Sequence, residues 1–285
     1  MLWMERGLSD NTLAAYRRDL QQYALWLSEN NRSAISLASA VDLQQYLGVR
    51  LRAGSAQRSA ARLMSSIRGF YQFLLREGLV DSDPSRLIDS PRQGRPLPKS
   101  LSEQDVDRLL DAPDTDNPIE CRDRAMLELL YATGLRVTEL VTLKISQVSL
   151  NQGIVRVIGK GSKERLVPMG EEAQDWISTW LRGPRLEILG GIGSDVLFPS
   201  KRGREMTRQT FWYRIKIYAS RAGIQTHLSP HTLRHAFATH LINHGADLRV
   251  VQMLLGHSDL TTTQIYTHVA RTRMQALHEQ HHPRG

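Results

Sequence analysis

Four stretches of this chain carry side chains able to hold an anion or move a proton. In YATGLRVTELVTL, Arg136 follows Gly134 at the start of a helix whose free N–H groups favour an anion, and Glu139 stands three residues on as its i, i+3 partner. In GKGSKE, Lys160 lies between Gly159 and Gly161, where a bent turn lets the ammonium project clear of the flanking strands. An ammonium in that position can donate a proton to a leaving oxygen when electropositive surroundings lower its pKa; Lys163 is the rival for the role. In SPHTLRHAFATHLINHG, Ser229 caps a helix, Pro230 suits its first turn, and His231 and Arg234 share a face while Leu233, Phe237 and Leu241 turn toward the core. A further helix from Asp247 ends at Gly256; His257 follows at once and Tyr266 comes nine residues later.

Taken singly, each has a bland reading: Arg136 as a capping arginine, Lys160 as an ordinary turn lysine, Tyr266 as a core or interface tyrosine. The histidines also allow a metal site, since His231 with His235 and His240 with His244 are both spaced i, i+4. No HExxH and no adjacent carboxylate set completes a catalytic zinc sphere, so no metal is expected.

The elements that must hold these residues fall into two domains. The chain has 285 residues, 41% of them hydrophobic, enough for two cores. Residues 1–89 read as an all-helical domain, with Leu63, Ile67, Phe70, Tyr71, Leu74 and Leu75 recurring at helical spacing along one face. Residues 90–100, rich in proline with Pro91, Pro96 and Pro98, read as a linker. Residues 101–285 form a mixed, mostly helical domain. Ser102 with Glu103, Gln104 and Asp105 marks its first helix start, and one strand pair runs from Gly153 to Met169 as a small hairpin. The fold class is mainly α, with a small β-hairpin sheet in the second domain.

Charge points to a polyanionic partner. Lys plus Arg number 37 against 29 for Asp plus Glu, a net +8. Residues 43–76 carry Arg50, Arg52, Arg58, Arg62, Arg68 and Arg76 with no acid, and residues 196–246 carry eight basic residues against Glu205 alone. Either run alone is most simply a solvated helix face; a basic face on each side of a hinge suits closure around a duplex. The single Cys121 cannot close an intrachain disulfide, and neither a signal-peptide pattern nor a run of roughly 18 apolar residues is present, which points to the cytoplasm and away from a membrane.

In order, ATGLR, a lysine in a hairpin turn, HTLRHAFATHL and LGHSDLTTTQIYTH resemble the tyrosine recombinase (phage integrase) family over nearly the whole chain, and its Xer branch in particular. The resemblance implies a SAM-like, DNA-binding first domain and a catalytic second domain. It implies Tyr266 as nucleophile, Arg136, Lys160, His231, Arg234 and His257 as assisting residues, and Glu139 as support for the first arginine. Arg208 and Gln209 match positions that face DNA in the family, and Lys216 with Arg50, Arg52, Arg58, Arg62 and Arg68 completes the expected DNA-contact set. The implied reaction attacks a phosphodiester to leave a 3′-phosphotyrosyl bond, which a 5′-hydroxyl reseals without metal or ATP; that no cofactor is needed is implied by the resemblance alone. The implied partners are duplex DNA with an inverted-repeat site, a XerC-like recombinase in a heterotetramer, and an FtsK-type DNA translocase as activator, with chromosome-dimer resolution as the task. The chain departs from the family at its start, where Met1 stands only a few residues before SDNTLAAYRRDL.

The tail from Thr272 has Met274 and Leu277 at i, i+3, suited to a neighbour's groove or to an ordinary self-packed end. Two other functions share these residues: a topoisomerase-like nicking and closing enzyme that needs no assembly, and an architectural DNA-binding protein without catalysis.

Overall fold

The computed structural model describes residues 10–32, 34–89, 101–159, 164–226, 228–256 and 277–284. They divide into two compact units, drawn from Met1–Leu97 and Pro98–Gly285.

The first unit is built on α1 (Asp10–Glu29), α2 (Ala40–Arg52) and α3 (Gln57–Arg76). Ser39 and Asp42 cap α2 reciprocally, each side chain bonding the other's backbone N–H. Tyr23, Leu43, Met64, Ile67 and Tyr71 form the centre of the core. The apolar stripe of α3 is as expected through Leu74, but Leu75 is 45% exposed. One residue past Leu74 the helix has turned 100°, which carries Leu75 off the buried face.

The second unit begins with α4 (Glu103–Asp111), where Ser102 and Asp105 make the expected reciprocal cap. Next comes α5 (Pro118–Thr133), the unit's central helix, buried at every residue from Cys121 onward. Its buried charges are all paired: Asp123 takes Arg122, Arg214 and the Tyr218 hydroxyl, and Glu128 takes Arg124. α6 (Val137–Val141) follows, then β1 (Val148–Ser149), β2 (Ile154–Ile158) and β3 (Glu164–Pro168), an antiparallel sheet in that order. The expected hairpin is β2 and β3, in register Val155 to Val167 and Val157 to Arg165; β1 adds a short third strand.

The remaining helices are α7 (Glu171–Arg182), α8 (Pro184–Leu189), α9 (Arg208–Arg221), α10 (Pro230–Asn243) and α11 (Leu248–Leu255). Ser229 caps α10 with Pro230 in the first turn, and Leu233, Phe237 and Leu241 enter the core as the spacing requires. The mainly helical class with one small sheet is the one expected. Among the described residues no helix is long and apolar enough to cross a membrane.

Candidate active site

Three separate stretches bring charged side chains to the carboxyl end of α11. The first is the α5–α6 junction. α5 ends at Gly134, whose left-handed φ of +57° turns the chain sharply, so that Arg136 becomes the N-cap of α6. A Cβ on Gly134 would stand 2.3 Å from the ring of Phe237, so the turn is tight against α10. Glu139 folds back onto Arg136 twice: Oε2 accepts the Arg136 backbone N–H at 2.7 Å, and Oε1 accepts from its guanidinium Nη1 at 2.9 Å. Glu139 thus takes up the Arg136 backbone N–H and one terminal nitrogen of its guanidinium.

The second stretch is α10, which contributes Arg234. Its guanidinium donates to the Gly134 carbonyl through Nη1 and to the Leu255 carbonyl through Nη2, the latter at 2.7 Å. The third is β3, which contributes Arg165. Nη1 and Nη2 of Arg165 donate to the two oxygens of Glu139 at 2.9 and 2.8 Å, and Nε donates to the Leu254 carbonyl at 3.1 Å. Arg136 Nη2 reaches the Gly256 carbonyl at 3.2 Å. Three consecutive carbonyls at the end of α11 thus accept from three different arginines. A helix carboxyl end carries partial negative charge and four carbonyls without helical partners, which suits it to cations.

The electrostatics follow from this packing. Burial works to raise the Glu139 pKa, but hydrogen bonds and charge from Arg165, with the backbone and side chain of Arg136, outweigh it and hold the carboxyl below its usual range. Burial, reinforced by the charges of Arg136 and Arg165, pushes Arg234 down to about 10. Arg234 stays protonated at neutral pH. Three guanidiniums against one carboxylate leave an excess of positive charge, and the Arg136 side chain, 39% exposed, presents it to solvent.

Of the expected site residues, the structure brings Arg136, Glu139 and Arg234 together; His231 lies exposed one turn before Arg234 on α10. Lys160, His257 and Tyr266 lie outside the described residues, as do Lys163 and Met274. The alternative histidine pairings find other uses. His240 bonds the Tyr131 hydroxyl and the Leu101 carbonyl, both at 2.8 Å, and His244 bonds Glu103. Arg165 was not singled out from the sequence, although strand alternation held the signal: it shares the inward register of Val155, Val157 and Val167, where a charge must find a partner.

The expected DNA-contact residues divide by what they already hold. Arg208 and Gln209 stand exposed at the start of α9, Lys216 lies exposed with its ammonium 3.6 Å over the Trp212 ring, and Arg52 is exposed at the end of α2. Arg62 instead pairs bidentately with the buried Asp19 at 2.9 and 3.0 Å, Arg68 donates to the Ile88 carbonyl, and Arg50 to Gln22 at 3.1 Å. The side chain of Arg58 is outside the described set.

Residues 277–284 pack on their own unit. His278 and His282 stack with ring centroids 4.6 Å apart and bond the carbonyls of Ala132 and Tyr131 on α5; Arg284 pairs with Glu128 and Asp107.

Comparison with known proteins agrees across both units. Residues 1–78 match the phage integrase N-terminal SAM-like domain, and residues 99–273 match the phage integrase family. Tyrosine recombinase XerD of Pseudomonas putida is 63% identical over 284 residues, covering 100% of this chain and 95% of its own. That of Shewanella oneidensis is 62% identical, covering 100% and 94%. Among solved structures, XerA recombinase aligns over 99% of this chain and 95% of its own at 30% identity, TM-score 0.51. The XerH recombinase bound to a palindromic difH substrate, in a post-cleavage complex, shares the fold at TM-score 0.70 and 23% identity, over 93% of this chain and 78% of its own. With two family domains in tandem and full-length relatives at this identity, the chain belongs to the phage integrase family of tyrosine recombinases.

Proposed function

We propose that this recombinase cuts and rejoins DNA at a defined inverted-repeat site through a 3′-phosphotyrosyl intermediate on Tyr266. The phenolic oxygen of Tyr266 attacks the scissile phosphorus, the bond to the 5′ oxygen breaks, and that oxygen takes a proton from Lys160. His231 takes the phenol's proton. Arg136 and Arg234, with His257, hold the nonbridging oxygens, where negative charge grows in the transition state. Resealing runs the same steps with a 5′-hydroxyl from another strand, so the phosphodiester's energy is kept. Residues 1–89 act as the core-binding domain, 90–100 as the linker, and 101–285 as the catalytic domain.

The observation that carries this reading is the pair Arg136 and Arg234, each tied to backbone carbonyls and left with an excess of positive charge. Fixed donors of this kind need no reorganisation when a phosphate arrives. Arg208, Gln209, Lys216 and Arg52, exposed in the structure, are the side chains free to meet DNA; Arg62 and Arg68 contribute chiefly to the first unit's own packing. The proposed role, implied by the resemblance to the Xer branch, is cytoplasmic resolution of chromosome dimers with a XerC-like recombinase in a heterotetramer and an FtsK-type translocase as activator; the relatives' name, tyrosine recombinase XerD, supports the recombinase part.

The test is covalent trapping on a nicked suicide duplex, with and without a related recombinase. The expected result is a protein–DNA adduct that Tyr266→Phe abolishes while DNA binding persists. Absence of adduct from the wild type refutes the reading, and adduct without exchange between two sites marks a nicking and closing enzyme instead.

A further inference from the structure

Arg165 is the charged residue at the site for which the proposed reaction has no use. Its side chain is 6% exposed, and both terminal nitrogens and Nε are engaged, so it has no face to offer DNA. We propose that Arg165 is a positioning residue: by gripping both oxygens of Glu139 and the Leu254 carbonyl, it sets the orientation in which Arg136 and Arg234 meet the scissile phosphate. The inference rests on the recombinase reading given above.

Two features of the geometry support it. First, Glu139 is nearly as buried as Arg165, at 7% exposed, and each of its oxygens is shared between Arg165 and Arg136. With Arg165 present, the carboxylate is neutralised from behind, and Arg136 keeps its charge for an incoming anion. Without Arg165 the buried carboxylate has Arg136 alone as its cation, and draws that guanidinium toward itself. Second, Arg165 ties β3 to the end of α11. Its Cδ and Cζ lie 3.1 and 3.2 Å from where a Cβ on Gly256 would stand, so the stem lies flat on the α11 backbone. The carbonyls of Leu255 and Gly256, which orient Arg234 and Arg136, follow directly on the Leu254 carbonyl that Arg165 holds. The same arginine therefore supports both members of the clamp, one through Glu139 and one through the helix end.

The experiment uses the full chain on a nicked suicide duplex under single turnover, over a range of DNA concentrations, with folding checked by circular dichroism. Arg165→Met should lower the saturating rate of adduct formation by about 100-fold, the scale of a misplacement of about 1 Å, and leave the half-saturating DNA concentration unchanged. Arg165→Lys should recover part of the rate, since an ammonium restores charge but not the fork that holds both oxygens. Arg165→Met with Glu139→Gln should cleave faster than Arg165→Met, because the stranded carboxylate is gone. A wild-type saturating rate in Arg165→Met, a loss confined to the half-saturating concentration, or a double variant no faster than the single one overturns the inference. Where Arg165→Met does not fold, Arg165→Lys is read by the same saturating rate, and a wild-type value overturns it. A wild type that forms no adduct, like Tyr266→Phe, is failure of the recombinase reading itself.

Discussion

Replacing Gly134 with alanine tests how the α5–α6 turn is held, and Gly190 supplies a matched control. Both glycines end helices in the left-handed region, at φ +57° and +51°. A Cβ at Gly190 meets nothing within 4 Å, whereas one at Gly134 would stand 2.3 Å from Cδ1 and 2.7 Å from Cε1 of Phe237. Phe237 is fully buried and lies against the His282 ring, so it has little room to retreat. The left-handed backbone costs alanine about 1–2 kcal/mol at either site. Forcing a methyl into a filled core adds about 1–3 kcal/mol at Gly134 alone. Gly134→Ala should therefore melt lower than Gly190→Ala by about 2–12 °C for a unit of this size. Calorimetry on the whole chain reads the difference. The Gly134 carbonyl also accepts from Arg234, and Arg136 is two residues on, so adduct formation should fall in Gly134→Ala and hold in Gly190→Ala. Equal melting of the two variants would refute the contact argument, because the backbone cost is common to both.

Three further outcomes follow from the described contacts. Arg62→Ala should destabilise the first unit by about 1–3 kcal/mol, since it strips the buried Asp19 of its bidentate partner, and urea unfolding will read it; an unchanged midpoint means that water replaces the guanidinium without cost. Burial holds His278 and His282 below the ordinary imidazole value, so the undocked tail binds more protons and docking weakens as pH falls below about 6.5. Hydrogen exchange over 277–284 should quicken, relative to the intrinsic rate, between about pH 8 and about pH 5.5, and the opposite trend excludes the imidazoles as the cause. DNA affinity should fall with salt by about one log–log unit for each phosphate neutralised, and Arg208→Ala should shallow that slope while Arg62→Ala should not.

Local signals were legible in the sequence where the physics is local. The caps at Ser102 and Ser229 need only a hydroxyl and a residue three positions on, and the β2–β3 hairpin needs only two apolar runs and a turn. The pairing of Arg136 with Glu139 spans only three residues, so the spacing alone carries it. Long-range partners were not legible. Arg165 meets Glu139 across 26 residues and Leu254 across 89, and Arg62 meets Asp19 across 43; no periodicity reports such distances. Counting arginines between residues 43 and 76 likewise does not show that Arg62 and Arg68 have partners within their own unit. Alternation along β3 places Arg165 on the inward face, and an inward charge demands a partner even where the sequence does not say which.

On the proposed reading, crowding three arginines supplies the positive charge that receives a scissile phosphate. Arg234 is buried, and burial first, then the charges of Arg136 and Arg165, depress its pKa to about 10. One carboxylate, Glu139, is too little to cancel the three positive charges. The guanidiniums do not spread apart, because each is hydrogen-bonded to a carbonyl of a single rigid element, the end of α11. On the proposed reading, a scissile phosphate entering beside Arg136 relieves repulsion that the fold has already accepted. That relief grows as the phosphorus gains a fifth oxygen and more negative charge, so it favours the transition state over the bound substrate. The same reasoning assigns Glu139 a limit: a second carboxylate at this position in space would remove the excess charge, bind the arginines more firmly, and leave them nothing to give the reacting group.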